Sequence, residues 1–374
     1  MLFQHTFLQL GLQLALTALM IAVVPLLLVW ISSDRNKYRK LVLVTLFLTL
    51  DLIMFGAFTR LTDSGLGCPD WPGCYGAANP LVSHAAISAA QLAMPNGPVT
   101  HTKAWIEMVH RYLAMTVGVL IVVQMLVAWI KRKQFQVAPW YATALFLCVC
   151  VQGAFGMWTV TLKLQPLIVT IHLLLAMLLL AMLAWLYASL HASLAWHSQA
   201  QADSAGMLAL RPLARFALLL LLLQIALGGW VSTNYAVLAC TDYPLCQGAV
   251  IPSMDFSHGF TLWRQLGKTS GGDYLPFAAL TAIHWVHRNF ALLVFACAGY
   301  LGWRARRICG LTKLANGLLL LLVLQLCTGL TTIFFSWPLA IAVLHNGGAA
   351  VLLIVLTMVN YRVGMQYKAA SSPD

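Results

Sequence analysis

The sequence predicts an all-α integral membrane protein with two parallel, pseudo-symmetric four-helix bundles and one extra N-terminal transmembrane helix. Three observations support this fold class. Hydrophobic residues make up 61% of the 374 residues, and charged residues make up 9%. Apolar runs of about twenty residues recur along the chain, and each is long enough to cross a bilayer as a helix. Finally, the motifs of the first half return in the second half, as in proteins built from internal repeats.

Apolar runs between charged or Pro/Gly-rich breaks predict about nine spans, one followed by two sets of four. The predicted spans are 12–31, 41–60, 105–129, 139–159, 167–190, 213–232, 279–303, 314–335 and 338–361. The predicted domains are an N-terminal helix with a basic loop (1–40), a first bundle (41–190), a linker (191–212), a second bundle (213–361) and a tail (362–374). A cleaved signal peptide is the alternative for the first span, but a basic start and a small-residue cleavage site are missing there.

The basic residues predict the orientation. Of the 22 Lys and Arg, 15 fall on one side of the predicted membrane, in segments 34–40, 131–133, 304–307 and 362–368 and at Arg211, Arg215 and Lys313. Because cytoplasmic loops retain positive charge, we expect that side, with the C-terminus, to be cytoplasmic. The N-terminus and the two long loops are then periplasmic, and a bacterial inner membrane is the expected location. The net charge of +12 is thereby explained by the bilayer, so no nucleic acid is expected as a partner.

The repeat is most evident in the loops. Segment 56–76 aligns with 228–248 at a constant offset of 172 residues. The matched pairs are Cys68 with Cys240, Asp70 with Asp242, Pro72 with Pro244, Cys74 with Cys246, and Gly76 with Gly248. Further along, EMVHR (107–111) corresponds to HWVHR (284–288), and Gln152 and His172 correspond to Gln325 and His345. Membrane packing alone requires only apolar residues, so the preserved His and Cys indicate duplicated sites.

Each copy has one cysteine pair that encloses five residues, in a loop on the expected oxidising side. These conditions favour the disulfides Cys68–Cys74 and Cys240–Cys246. A structural clip, a redox-active pair and a metal site all remain open, although an exposed short bridge is accessible to thiol exchange.

Four histidines occupy matched positions near the outer membrane face: His110, His172, His287 and His345. An imidazole in hydrocarbon is costly unless it has a partner. Two helices that present one imidazole each can ligate a haem iron from opposite faces, and a four-helix bundle can hold the group. We therefore predict bis-histidine haem sites. Zinc or a di-iron centre is the alternative, but such sites normally recruit carboxylates or thiolates, which the predicted bundle interiors almost lack.

The two copies differ three residues before the first histidine, where one has Glu107 and the other His284. Glu107 is the only Glu of the chain and shares a helical face with His110, so we expect a catalytic carboxylate there. The alternative is a charge at the interfacial end of a span. Arg111 and Arg288 follow the histidines directly and are expected either to hold haem propionates or to anchor the helices at the interface.

These motifs, over about residues 41–361, resemble the haem A synthase family. The resemblance implies oxidation of the C8 methyl group of haem O, through an alcohol, to a formyl group, giving haem A for terminal oxidases. It also implies a haem b cofactor ligated by His287 and His345, with His284 and Arg288 nearby, and substrate haem O near His110, His172 and Arg111. Glu107 matches the family's essential carboxylate, and the four loop cysteines match the family's outer-loop cysteines. The extra first span departs from the family's eight.

The expected partners are haem O, haem O synthase, the cytochrome oxidase assembly machinery, an electron acceptor or donor, the lipid bilayer and, for a homo-oligomer, a second copy of the chain. Two other functions fit the same residues. A b-type electron carrier would hold two permanent haems, and a haem chaperone or exporter would bind haem reversibly without changing it. Asp51, midway along an apolar run, needs a partner or a proton and has no assigned role.

Overall fold

The computed structural model describes residues 2–134, 138–191 and 204–371. Eleven α-helices and one 3₁₀ turn, Ala236–Leu238, form this described part, which contains no strand. The helices are α1 (Leu2–Ile31), α2 (Lys37–Leu61), α3 (His84–Ala93), α4 (His101–Ile130), α5 (Pro139–Thr161), α6 (Pro166–His191), α7 (Ser204–Thr233), α8 (Phe256–Gly259), α9 (Phe277–Ala305), α10 (Thr312–Phe334) and α11 (Leu339–Ser371). Residues 192–203 of the predicted linker and 372–374 of the tail lie outside the described residues.

Within the described residues, nine helices are long and apolar enough to cross a membrane. These are all the helices except α3 and α8, and each coincides with one predicted span. The predicted class, an all-α multi-pass membrane protein, is confirmed. Helix starts follow ordinary capping chemistry: Asn36 accepts a hydrogen bond from Arg39 N at the start of α2, and Thr100 accepts one from Lys103 N at the start of α4.

The chain divides into two compact units, Met1–Leu179 and Leu180–Asp374. In the second unit, α7 packs against α9 and α11, and α10 packs against the same two helices, so the four helices close into a bundle. In the first unit, α4 is central and packs against α1, α2 and α5. Helix α6 begins in the first unit and ends in the second. The domain boundaries expected from the sequence remain predictions.

The extra helix α1 is packed along the first unit. Near its start, Leu14 belongs to a buried cluster with Cys68, Cys74 and Met108. Near its end, Val29 packs against residues of α2 and α4. Helix α1 therefore covers the cysteine loop of the first copy as well as the opposite end of α4.

Both predicted disulfides are present. The Sγ atoms of Cys68 and Cys74 are 2.12 Å apart, and those of Cys240 and Cys246 are 2.05 Å apart. All four cysteines are buried, with at most 2% of each residue exposed. Each disulfide closes the base of a loop that follows the first matched helix of its copy, α2 or α7.

The two cysteine loops have the same turn. Asp70 accepts hydrogen bonds from the backbone N–H groups of residues 75 and 76 at 2.6 and 2.7 Å. Asp242 accepts the equivalent bonds from residues 247 and 248 at 2.7 and 2.9 Å. Gly76 and Gly248 have φ of +73° and +74°, a conformation that favours glycine. The turn explains why the repeat preserves the aspartate and the glycine.

Candidate functional site

In the first copy, two helices bring their histidines together. His110 on α4 and His172 on α6 are both partly buried in the first unit. Each imidazole faces a glycine of a neighbouring helix. A Cβ at Gly56 of α2 would lie 3.1 Å from His110 Nε2, and one at Gly156 of α5 would lie 3.3 Å from His172 Cε1. The glycines therefore let both rings pack closely against the neighbouring helices.

The second copy repeats this arrangement. His287 on α9 and His345 on α11 are both partly buried in the second unit. A Cβ at Gly228 of α7 would lie 3.0 Å from His287 Cε1, and one at Gly329 of α10 would lie 3.3 Å from His345 Cε1. Four imidazoles and four facing glycines thus form two equivalent pockets, one in each unit.

A matched glutamine supports the second histidine of each pocket. Gln152 Nε2 donates to the backbone carbonyl of His172 at 3.1 Å, and Gln325 Nε2 donates to that of His345 at 3.1 Å. The twenty-residue spacing seen in the sequence therefore reflects a contact between α5 and α6 and between α10 and α11.

Glu107 is 4% exposed and joins α4 to the first cysteine loop. Its Oε2 accepts a hydrogen bond from the backbone N–H of Cys68 at 2.8 Å. Its Oε1 accepts one from Arg111 Nη2 at 2.5 Å, which makes a buried ion pair within one helical turn. Breaking such a pair by removing one partner typically costs about 3–5 kcal/mol.

Arg111, 8% exposed, continues this network into the loop. Its Nη1 donates to the carbonyls of Asp70 at 2.9 Å and Pro72 at 3.2 Å, and also to that of Gly73. The guanidinium thereby fixes the loop over the end of α4. The expected contact of Arg111 with a haem propionate stays a prediction. The hydrogen bonds of this side chain are made to Glu107 and to the loop carbonyls.

In the second copy, His284 and Arg288 occupy the positions of Glu107 and Arg111 and make different hydrogen bonds. His284, 5% exposed, accepts a hydrogen bond from Cys240 N–H through Nδ1 at 3.2 Å. Arg288 Nη2 donates to Leu245 O at 3.0 Å, and its guanidinium lies 5.1 Å from the ring centroid of Tyr243. Arg288 Nη1 is buried with no hydrogen-bond partner. An unpartnered buried donor of this kind suits an anionic ligand group such as a carboxylate.

The donor set of the two pockets fits a haem. A porphyrin supplies four nitrogen ligands of its own, so its iron needs only two imidazoles from the protein. Among the described residues, no group of three or more His, Cys, Asp or Glu is arranged to hold a metal ion, and zinc and di-iron centres normally need such a group. The unpartnered Nη1 of Arg288 agrees with a bound porphyrin that carries carboxylates.

Sequence reasoning missed the facing glycines, although the repeat contained the signal. Gly56 and Gly228 align at the same offset as the cysteines, and Gly156 and Gly329 align at the offset of the matched glutamines. The disulfides were predicted and are present. The roles expected for Glu107 and the four matched histidines remain proposals that rest on the geometry above. Asp51 is exposed on α2.

The fold and the site define a class: a multi-pass helical membrane protein with a repeated pair of histidines on its helices and a repeated disulfide loop. A family model fits that class and identifies it further. The COX15-CtaA model, described as cytochrome oxidase assembly protein, matches residues 39–357. The chain belongs to this family, as its motifs predicted.

Curated relatives carry one name. The Heme A synthase of Shewanella oneidensis is 38% identical over 320 residues, which is 85% of this chain and 94% of that protein. The Heme A synthase of Caulobacter vibrioides is 29% identical over 359 residues, 89% of this chain and 98% of that protein. The Heme A synthase of Caulobacter sp. strain K31 is 30% identical, with the same coverage of both chains.

Proposed function

We propose that this chain is a haem A synthase, an oxidoreductase that converts the C8 methyl group of haem O to a formyl group. The family match and the relatives named Heme A synthase support the reaction. The observation that carries the proposal is the difference between two otherwise equivalent pockets. Only the first has a carboxylate, Glu107, at the position that His284 takes in the second.

The two pockets then have different occupants. Substrate haem O is proposed for the first, near His110 and His172, and haem b for the second, with His287 and His345 as iron ligands. When bound, haem b supplies a redox-active iron. The unpartnered Nη1 of Arg288 is a suitable donor to a propionate of that cofactor.

Glu107 is proposed as the proton-transfer group of the first pocket. It lies three residues before His110 on α4, so both side chains project from the same face. The bonds from Cys68 N–H and Arg111 hold the carboxylate in one orientation. Each carboxylate oxygen has two acceptor sites, so both oxygens can still accept from a substrate hydroxyl. Methyl to formyl is a four-electron oxidation, and an electron acceptor is therefore among the proposed partners.

The proposed location is a bacterial inner membrane, with the cysteine loops and N-terminus periplasmic and the C-terminus cytoplasmic. The asymmetry of basic residues supports this orientation. Haem O synthase and the cytochrome oxidase assembly machinery are the proposed protein partners, because the first supplies haem O and the second consumes haem A.

Glu107→Gln tests the proposal. Glutamine keeps an acceptor for Cys68 N–H but cannot carry the proton, and general acid–base groups typically contribute about 10²–10⁴-fold in rate. We expect haem A formation in membranes with a haem O source to fall by at least about 100-fold, with haem b content unchanged. His284→Gln is the matched control because it alters the equivalent anchor in the other copy. Conversion at the wild-type rate in Glu107→Gln would refute the role of the carboxylate.

A further inference from the structure

We infer that Thr328 is a positioning residue that fixes the ligand imidazole of His345, and that its replacement by Phe155 in the first copy leaves His172 without this restraint. The second pocket is thereby built to retain a haem, and the first is built to release one. The inference rests on the proposed function, since it concerns how tightly each pocket holds its haem.

In the second copy, a hydrogen-bond chain runs from the imidazole to the backbone. Thr328 Oγ1 on α10 lies 2.9 Å from His345 Nδ1. The same hydroxyl donates to Gln325 O at 3.2 Å, so it is available to His345 as an acceptor. With the hydroxyl proton directed to Gln325, at its backbone oxygen or at Oε1 3.3 Å away, Thr328 accepts from His345 Nδ1–H. That tautomer leaves the Nε2 lone pair free for an iron.

In the first copy, the same position is apolar. Gln152 and Gly156 correspond to Gln325 and Gly329, which places Phe155 at the position of Thr328. The phenyl ring packs edge-on against Trp158, with 5.0 Å between the ring centroids. His172 Nδ1 is buried and has no hydrogen-bond partner. The backbone support of His172 is intact, and the Gln152 amide nitrogen also lies 3.5 Å from His172 Nε2, so the two copies differ in the partner of Nδ1.

The first histidines of the two copies also differ in their surroundings. The amide nitrogen of Gln224 on α7 lies 3.2 Å from His287 Nδ1 and donates to His287 O at 3.1 Å. An amide nitrogen only donates, so this contact does not supply the acceptor that Thr328 offers to His345. At the repeat offset of 172 residues, the first copy has Leu52 at this position. Among the described residues, the pair Thr328 and His345 therefore carries the difference between the copies.

A hydrogen bond at the distal nitrogen of a ligand histidine fixes the tautomer and ring orientation and makes the histidine a stronger ligand. Loss of such a partner typically lowers metal affinity about 10–100-fold. A cofactor must survive many turnovers, whereas a substrate haem must enter and its product must leave. The distribution of partners matches these two requirements.

The test uses the full-length protein in detergent, loaded with haem b as purified. The rate of haem loss to excess apomyoglobin and the low-spin ferric EPR g-values are measured for Thr328→Val, Thr328→Ser and Thr331→Val. Thr331 is the control, because its hydroxyl donates to the backbone carbonyl of Cys327 at 2.7 Å and lies one turn further along α10. We expect haem loss about 10-fold faster, with shifted g-values, for Thr328→Val, and near-wild-type behaviour for Thr328→Ser and Thr331→Val.

Phe155→Thr provides a second variant that does not depend on the folding of Thr328→Val. It restores a hydroxyl beside His172 and, in protein whose first pocket is loaded with haem O, should slow the loss of haem O to apomyoglobin by a similar factor. Equal rates for Thr328→Val and Thr331→Val would overturn the inference, as would a Thr328→Ser variant as weak as Thr328→Val. If the wild-type protein binds no haem with a bis-histidine spectrum, the proposed cofactor site fails first, and the inference fails with it.

Discussion

Glu107 and His284 hold the same backbone group in the two copies. Glu107 Oε2 accepts from Cys68 N–H at 2.8 Å, and His284 Nδ1 accepts from Cys240 N–H at 3.2 Å. The fold therefore needs an acceptor at this position, but it does not need a charge. The carboxylate of Glu107 supplies a negative charge that the loop does not require. We therefore assign Glu107 a catalytic role.

The facing glycines give the first prediction. Gly228→Ala places a methyl group about 3.0 Å from His287 Cε1, closer than ordinary van der Waals contact. We expect haem b content, measured by pyridine haemochrome, to fall by more than half. Gly56→Ala crowds His110 in the same way and should reduce haem A formation while haem b content is retained. Gly299→Ala is the control, since its Cβ meets nothing within 4 Å; an equal effect there would contradict the prediction.

The second prediction concerns Arg111. Lysine keeps the charge but cannot reproduce a guanidinium that donates to Glu107 and to several loop carbonyls at once. Arg111→Lys should lose hydrogen bonds of a charged donor, worth about 1.5–3 kcal/mol each, and should lower the thermal unfolding midpoint and haem A formation. Arg288→Lys removes a guanidinium that donates to Leu245 O and lies over the Tyr243 ring, and it should lower the midpoint less. An equal fall in the thermal midpoint in the two variants would show that the hydrogen bonds from Arg111 to the cysteine loop do not stabilise the first copy more than Arg288 stabilises the second.

The third prediction separates the two disulfides. Each joins residues six apart, and closing so short a loop is worth about 2 kcal/mol in the chain-entropy account. The double variant Cys68→Ser/Cys74→Ser should release the loop that anchors Glu107, so haem A formation should fall with haem b content retained. Cys240→Ser/Cys246→Ser should lower haem b content instead. Replacement of Cys148, which forms no disulfide, by Ala is the control. Identical phenotypes for the two double variants would show that the two disulfides do not serve different haem sites.

The fourth prediction is a pH dependence. Hydrogen bonds from Gly248 N–H and Gln247 N–H hold the pKa of Asp242 below the usual carboxyl value. A lowered pKa in the folded state adds stability that is complete above the unfolded value, about 3.9. That stability is lost as the pH falls through the folded value. Asp242→Asn should therefore lower the thermal midpoint at pH 7, and the difference from wild type should shrink below about pH 4. If the difference in thermal midpoint between wild type and Asp242→Asn stayed constant with pH, the lowered pKa of Asp242 would not be the source of the stability.

Much of the architecture follows from the sequence because each membrane span can be recognised as a long apolar run. An apolar run of about twenty residues has few alternatives to a membrane helix, so all nine predicted spans coincide with helices. Helix α3 was not predicted, because a ten-residue helix in a loop has no such signal. The packing of α1 on the cysteine loop was also not predicted, since the apolarity of Leu14 does not specify its neighbour.

The site was predictable where the copies agree. Matching histidines and cysteines predicted the histidine sites and the disulfides, and the difference between Glu107 and His284 indicated a catalytic role for the carboxylate. Thr328 was not found, because its counterpart Phe155 differs and a comparison of the copies finds what is repeated. The carbonyl partners of Arg111 lie about forty residues away along the chain, and only the folded loop brings them to the guanidinium.

The measurement that tests the central claim most directly is pigment extraction and mass analysis of membranes that contain this chain together with a haem O source. The account predicts haem A together with about one haem b per chain. Two haem b per chain with haem O unchanged, in membranes where a known haem A synthase converts it, would contradict the account and indicate an electron carrier.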